Sequence, residues 1–210
     1  MKTIFDEHFQ DYDLWYEKYE KAYLSELEAV RKALPEQGVG IEVGVGTGRF
    51  AAPLGIEVGI DPSLNMLKIA RQRGVLAVAA RGEALPLRDR QFDYALIAIT
   101  ICFVDDAREV IAETARVLRS GGKIVIAIID RDSFLGRLYQ SKKSKFYKVA
   151  RFFSVDAVVA LLSQAGFASF EFLQTIFNVP DEVGTIQAPE EGYGKGGFVV
   201  ISGYKSRDRS

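Results

Sequence analysis

Cysteine and histidine are nearly missing from this chain: one of each, Cys102 and His8, in 210 residues. A lone cysteine can neither close an internal disulfide nor build a multi-cysteine zinc site, and it suits a reducing compartment. One histidine leaves little for a histidine-based metal cluster, so no metal is expected. An excess of one charge is missing too. Twenty-seven Lys and Arg stand against 28 Asp and Glu, a formal net charge of −1. That argues against nucleic-acid binding driven by bulk positive charge. No apolar run reaches the ~18 residues of a membrane span; the longest, Tyr94–Val104, is interrupted by Thr100. The opening MKTIFDEHFQ turns acidic at Asp6 and Glu7, so it lacks the apolar centre of a secretory leader. A cytoplasmic location is the expectation. What remains is ordinary globular composition, 48% hydrophobic and 26% charged. A chain this long buries about 70% of its unfolded surface, enough for the core of one domain.

Apolar residues from Phe9 to Leu34 recur at steps of three and four, which predicts one amphipathic helix ending before Pro35, with Asp13 as its N-cap. After Gly38 the pattern changes to short apolar runs alternating with helical segments. Strands are expected at 39–43, 57–60, 76–79, 94–98 and 123–129. Helices are expected at 47–54, at 63–73 with Ser63 as N-cap, and at 106–119, stopped by Gly121-Gly122. Such alternation needs crossover connections, hence a mostly parallel sheet with both faces covered. Ligands in these sheets lie at the carboxyl ends of the strands, where strand order reverses. From 130 to 153 the rhythm breaks and an insertion is expected. Ser154 then caps a helix running to Gly166, and two last strands are expected at 169–177 and 198–204. The intervening 179–197 holds two prolines and five glycines and reads as loop. The closing SRDRS reads as a frayed tail.

The strongest signal is the run Ile41-Glu42-Val43-Gly44-Val45-Gly46-Thr47-Gly48-Arg49-Phe50. A buried strand enters three alternating glycines and a helix follows, so backbone can turn sharply and lie against a ligand. The next strand ends at Asp61, in Gly59-Ile60-Asp61-Pro62-Ser63, where a carboxylate can accept from a ribose diol. A nicotinamide dinucleotide and S-adenosylmethionine would both use this plan. Arg49, where a dinucleotide fingerprint wants Gly or Ala, favours the second. So does Glu42, which would repel a pyrophosphate but suit the ammonium of a methionine moiety.

These motifs, with RGEALPLRDRQFDYALI, RVLRSGGKIVI and the opening FDEHFQDYDLWYEKY, resemble the class I S-adenosylmethionine-dependent methyltransferases. The resemblance runs from about Phe5 to Ile129 and is nearest to the small-molecule branch of the ubiquinone/menaquinone-biosynthesis type. It implies an α/β fold: a Rossmann-like, mostly parallel seven-stranded sheet flanked by helices, last strand antiparallel, with an N-terminal helical cap. It implies one methyltransferase-like domain over 1–210, with a cap at 1–35, a cofactor-binding core at 38–129, an insertion at 130–153 and the end of the sheet at 154–204. Gly44, Gly46 and Gly48 would pass the methionine and adenosine portions of S-adenosylmethionine. Asp61 would bind the ribose, with Pro62 beside the adenine, and Gly82 and Glu83 would frame the adenine edge. Ile99 and Thr100 would lie near the sulfonium, and Tyr12 and Trp15 would form a lid. S-adenosylhomocysteine would be the product and a small molecule the methyl acceptor. Four positions depart from the pattern: Arg81, where an acidic or small residue is usual; Cys102 and Phe103, where histidine is common; and Ser120, in place of a proline.

Methyl transfer needs no fixed catalytic residue, because positioning supplies most of the rate. A protic acceptor would need a base, for which His8, Asp130 and Glu191 are the candidates. Several singled-out residues also have a plainer reading: His8 as a surface histidine, Tyr12 and Trp15 as the buried stripe of a helix, Glu83 as a solvated charge, Cys102 as a small buried apolar group. The stretch 136–151 carries Arg137, Lys142, Lys143, Lys145, Lys148 and Arg151 without an acid, interleaved with Tyr139, Phe146 and Tyr147. A solvated face is expected there rather than a nucleic-acid contact. Two other functions are open: a nicotinamide-dependent oxidoreductase, which shares the strand–glycine-loop–acid pattern, and a non-catalytic methyltransferase-like binding subunit, to which the departures at Arg81 and Cys102 point.

Overall fold

The computed structural model describes residues 4–206. Three helices open the chain, α1 (Ile4–Glu7), α2 (Phe9–Lys18) and α3 (Glu20–Ala33). The alternating part follows as β1 (Gly40–Val43), α4 (Ala51–Leu54), β2 (Val58–Asp61), α5 (Leu64–Gln72), β3 (Leu76–Ala79), β4 (Phe92–Ala98), α6 (Ala107–Val117) and β5 (Leu118–Ile129). Then come α7 (Phe134–Ser141), α8 (Val155–Gln164), β6 (Phe167–Thr175), β7 (Glu190–Glu191) and β8 (Phe198–Lys205). The strands form one sheet in the order β3-β2-β1-β4-β5-β8-β6-β7. The first five strands pair in parallel; β8 runs antiparallel to both β5 and β6. The sheet is therefore mostly parallel and Rossmann-like. It has eight strands rather than seven, because Glu190–Glu191 pairs with Leu173 and Gln174. Two residues are too few to show a period.

Apolar side chains of β4 and β5 alternate between the two faces. Leu96, Ala98, Val125 and Ala127 join α3, α5 and α7 in one core; Ala95, Ile97, Ile124 and Ile126 join α6 and α8 in the other. This is why the two strands read as unbroken apolar runs. Serine and aspartate side chains start the helices: Ser63, Asp106, Ser133 and Ser154 each accept from backbone N–H groups two or three residues on. Three expected boundaries need correction. The N-terminal helix is broken at Tyr19 (φ −113°, ψ 46°), since α2 lies over the glycine loop while α3 packs on the sheet, and one straight helix cannot do both. Asp13 consequently lies inside α2 rather than at its start. The helix expected from Thr47 begins only at Ala51, because Gly46 and Gly48 hold φ of +51° and +80°. Gly121-Gly122 do not stop α6: Leu118 is already extended and pairs with Phe92, and Gly121 (φ +75°) sits in the irregular register of β5 against β4. Of the expected frayed tail, only Ser206 lies among the described residues.

Among the described residues, no helix is long and apolar enough to cross a membrane, and no cluster of three His, Cys, Asp or Glu is placed to hold a metal.

Candidate active site

Strand order reverses between β1 and β4, so the crevice of the sheet opens at their carboxyl ends. Gly44 follows β1 there, at φ +79°, with Gly44 N and Val45 N both donating to Ile60 O at 2.7 and 2.9 Å. These bonds bring the loop alongside β2, whose last residue is Asp61. The Asp61 carboxylate accepts from Gly46 N at 3.0 Å and from Ser63 N at 2.8 Å. Burial pushes its carboxyl up to about 6, against those two hydrogen bonds. Glu42, one step back along β1, is 1% exposed, and its Oε2 has no hydrogen-bond partner among the described residues. Burial raises its carboxyl well above the usual range, and Asp61 adds to the shift. Two carboxyl groups, both reluctant to ionise and one unsatisfied, make a site that gains by receiving a cation or hydrogen-bond donors. A pyrophosphate would meet the opposite.

At the other side of the crevice, Ile99 follows β4 at φ +51°, an unusual conformation for a β-branched residue. Its N–H donates to Ala127 O at 2.9 Å. Thr100 next to it donates to Gly44 O at 3.1 Å and Ala98 O at 3.0 Å, and a Cβ on Gly44 would stand 2.1 Å from Thr100 Cγ2. Glycine is thus required at 44 by both its φ and its neighbour.

The N-terminal helices cover this crevice. Tyr12 is the nearest side chain to the open side of Gly46, 3.9 Å from where a Cβ would stand, and its hydroxyl shares a 2.6 Å hydrogen bond with Tyr16. Asp6 of α1 accepts from Ser63 Oγ at 2.6 Å. Asp13 takes Arg49 Nη2 at 2.6 Å, Arg73 Nη2 at 2.8 Å and Thr47 Oγ1 at 2.6 Å. Burial alone would raise the Asp13 carboxyl; those bonds outweigh it and hold it well below the usual carboxylate range. Sequence reasoning missed this clasp. Arg49 carried its signal, a charge where the glycine fingerprint wants a small residue.

Beyond Ile99 lies a cavity of about 170 Å³, roofed by Tyr12, Trp15 and Tyr16 and floored by Ile99, Cys102 and Ile129. The insertion closes it: Tyr139 and Tyr147 stack at 4.3 Å between ring centroids, and both line it. Cys102 faces this space and is only partly covered, with its thiol pushed up to about 12 by burial, so it stays protonated at neutral pH. The six cations of 136–151 are all exposed while Tyr139, Phe146 and Tyr147 turn inward.

The remaining expected residues fall as follows. Pro62 is exposed beside Asp61. Gly82 packs closely, where a Cβ would meet Val43 Cγ1 at 3.1 Å and Val110 Cγ2 at 3.2 Å. Glu83 is not an idle loop charge: it accepts from Asp105 N at 3.0 Å and pairs with Arg81 at 3.3 Å. Arg81 reaches on to Asp105 at 2.5 Å. His8 lies outside the cavity against Lys145 (3.0 Å) and Asp11. Asp130 is 5% exposed and accepts from Asp132 N in a turn. Glu191 is on β7 at the edge of the sheet, away from the crevice. None of these three candidate bases lines the cavity.

Residues 41–126 match a family profile described as a methyltransferase domain. A Thermotoga maritima protein whose crystal structure is described as "SAM-dependent methyltransferase, possible histamine N-methyltransferase" is 49% identical, covers 97% of this chain and 98% of its own, and superposes with a TM-score of 0.94. The chain belongs to the class I S-adenosylmethionine-dependent methyltransferases. An uncharacterised protein of Methanocaldococcus jannaschii is 47% identical over 97% of this chain and 99% of its own length. The demethylmenaquinone methyltransferase of Renibacterium salmoninarum is 34% identical over 49% of this chain and 45% of its own length. The methyl donor of this methyltransferase is S-adenosylmethionine, and the donor-end residues fit it: an unsatisfied buried carboxyl, a glycine backbone that approaches closely, and an acid at the strand tip.

Proposed function

We propose that this methyltransferase acts on a small molecule held in the aromatic cavity beyond Ile99, with the donor bound across the carboxyl ends of β1, β2 and β4. S-adenosylmethionine supplies an electrophilic methyl on a sulfonium. In this reading the chain's own groups bind and orient. Asp61 accepts from the ribose hydroxyls, and Gly44, Gly46 and Gly48 present bare backbone to the methionine and adenosine portions. Glu42 receives the methionine ammonium, directly or through water. Pro62, Gly82 and Glu83 border the adenine, and Ile99 and Thr100 border the sulfur. Tyr12 and Trp15 close over the crevice, and the dry aromatic wall spares a dispersing positive charge the competition of water.

The observation that carries the reading is the 3.0 Å hydrogen bond from Gly46 N to Asp61 Oδ2, because loop and strand tip must be adjacent to hold one nucleoside. The small volume of the aromatic cavity supports a small acceptor, and the description of the T. maritima relative names a small molecule. Calorimetric titration with S-adenosylhomocysteine tests the donor end. Micromolar binding is expected, and no heat at millimolar ligand would overturn it. NADH binding in the same assay would favour the oxidoreductase reading, which the comparisons do not support.

A further inference from the structure

The molecule has a second buried carboxyl with an unsatisfied oxygen, and the donor does not use it. Glu26 is 2% exposed on α3, and its Oε2 has no hydrogen-bond partner among the described residues. It lines the aromatic cavity together with Trp15, Tyr16, Tyr139 and Tyr147. Burial alone raises its carboxyl well above the ordinary range. It shares its helix with the buried Ala22, Ala29, Val30 and Ala33, where packing is served by an apolar side chain. A buried, unpaired acid is costly to the fold, so its place in the wall calls for a ligand. Aromatic faces attract cations, and a carboxyl among them selects a group that can donate hydrogen bonds and carry positive charge.

Resting on the methyltransferase reading, we infer that the acceptor is an organic amine and that Glu26 binds its nitrogen. A phosphate or carboxylate acceptor would face Glu26 with like charge. An alcohol could make one hydrogen bond but bring no charge. The space sets the size, since a cavity of about 150 Å³ admits a benzene ring and this one is about 170 Å³. The proton count closes. An entering ammonium displaces the Glu26 proton to solvent, pairs with the carboxylate so formed and then gives it one proton. The freed nitrogen lone pair forms the new C–N bond as the S–C bond breaks, its electrons staying on sulfur. The methylated nitrogen leaves as an ammonium, and Glu26 is left protonated, as it began. A carboxyl with raised proton affinity makes the first transfer less uphill.

The test uses the full chain saturated with S-adenosylhomocysteine and two probes of one shape, 2-phenylethylamine and 2-phenylethanol. Calorimetry reads affinity, and the emission of Trp15, the single tryptophan, reports whether the probe enters the cavity. The amine is expected to bind at least tenfold tighter than the alcohol and to shift the emission. Glu26→Gln should remove that preference while S-adenosylhomocysteine affinity and melting temperature hold or rise. Equal affinity for the two probes, an unchanged preference in E26Q, or no amine binding would each overturn the inference. The wild-type comparison decides even if the variant fails to fold. The titration is repeated without S-adenosylhomocysteine. A protein that takes the amine but not the nucleoside would overturn the donor reading alone.

Discussion

The proposed donor end and the proposed acceptor cavity of this methyltransferase are built on different principles. The donor end is backbone: Gly44, Gly46 and Val45 hydrogen-bonded to β2, with Asp61 and Glu42 as its few side chains. The cavity is side chain: aromatic rings from α2, α7 and the residues after it, with one unsatisfied acid. A backbone site tolerates little change because its glycines hold positive φ and a Cβ on Gly44 collides with Thr100, whereas a wall of rings can be redrawn residue by residue. The difference predicts where mutation is severe and where it is mild.

The largest effect belongs to Gly44→Ala. A φ of +79° and a Cβ 2.1 Å from Thr100 Cγ2 should cost about 2–4 kcal/mol of stability and at least tenfold in S-adenosylhomocysteine affinity. Adding Thr100→Ala should recover part of the loss in chemical denaturation; no recovery would show that the collision is not the cause. Next comes Asp61→Ala, which loses charge-assisted hydrogen bonds worth about 1.5–3 kcal/mol in nucleoside binding by calorimetry. Asp61 also sets a pH dependence. Its folded value of about 6 exceeds the model-peptide value, so the native state holds its proton longer. Stability from this group is therefore lost as pH rises from about 4 to 6. Binding that needs the carboxylate should weaken about tenfold between pH 7 and pH 5, and Asp61→Asn should flatten that profile.

Asp13→Asn tests the clasp between the two ends. At pH 7 it should cost about 1–3 kcal/mol in denaturation and speed proteolysis within residues 4–19. Because the Asp13 carboxyl is depressed, the difference from wild type should shrink as pH falls below about 4. Thr100→Val keeps the shape and removes the one hydroxyl proton shared between Gly44 O and Ala98 O, lowering the melting temperature by about 2–4 °C. At the bottom of the scale, Lys143→Glu with Lys148→Glu should leave S-adenosylhomocysteine affinity alone and move the melting temperature by no more than about 2 °C. A larger change would give the basic stretch a role that its outward-facing charges do not suggest.

The same contrast explains what could be read before the structure. The glycine loop, Asp61 and the helices capped by Ser63 and Ser154 were legible, because each rests on a few neighbouring residues with restricted conformations. The break at Tyr19 was not. Its apolar steps continue through the bend, and only the sheet beneath forces the turn. Glu26 was hidden for another reason. It stands three residues after Tyr23 and four before Val30, on the buried stripe of α3, but an acid in that position reads as solvated. The cavity joins residues 5 to 26 with residues 99 to 153, and no local pattern announces a contact over that separation.

The hydrogen bond from Thr100 to Gly44 O has a consequence for how such proteins diversify. It locks the ends of β1 and β4 into one stiff seam, so the edge proposed to hold the donor and the floor of the cavity keep a fixed spacing. Lineages can then exchange the rings and the acid above that floor, and acquire new customers, without retuning the reaction distance.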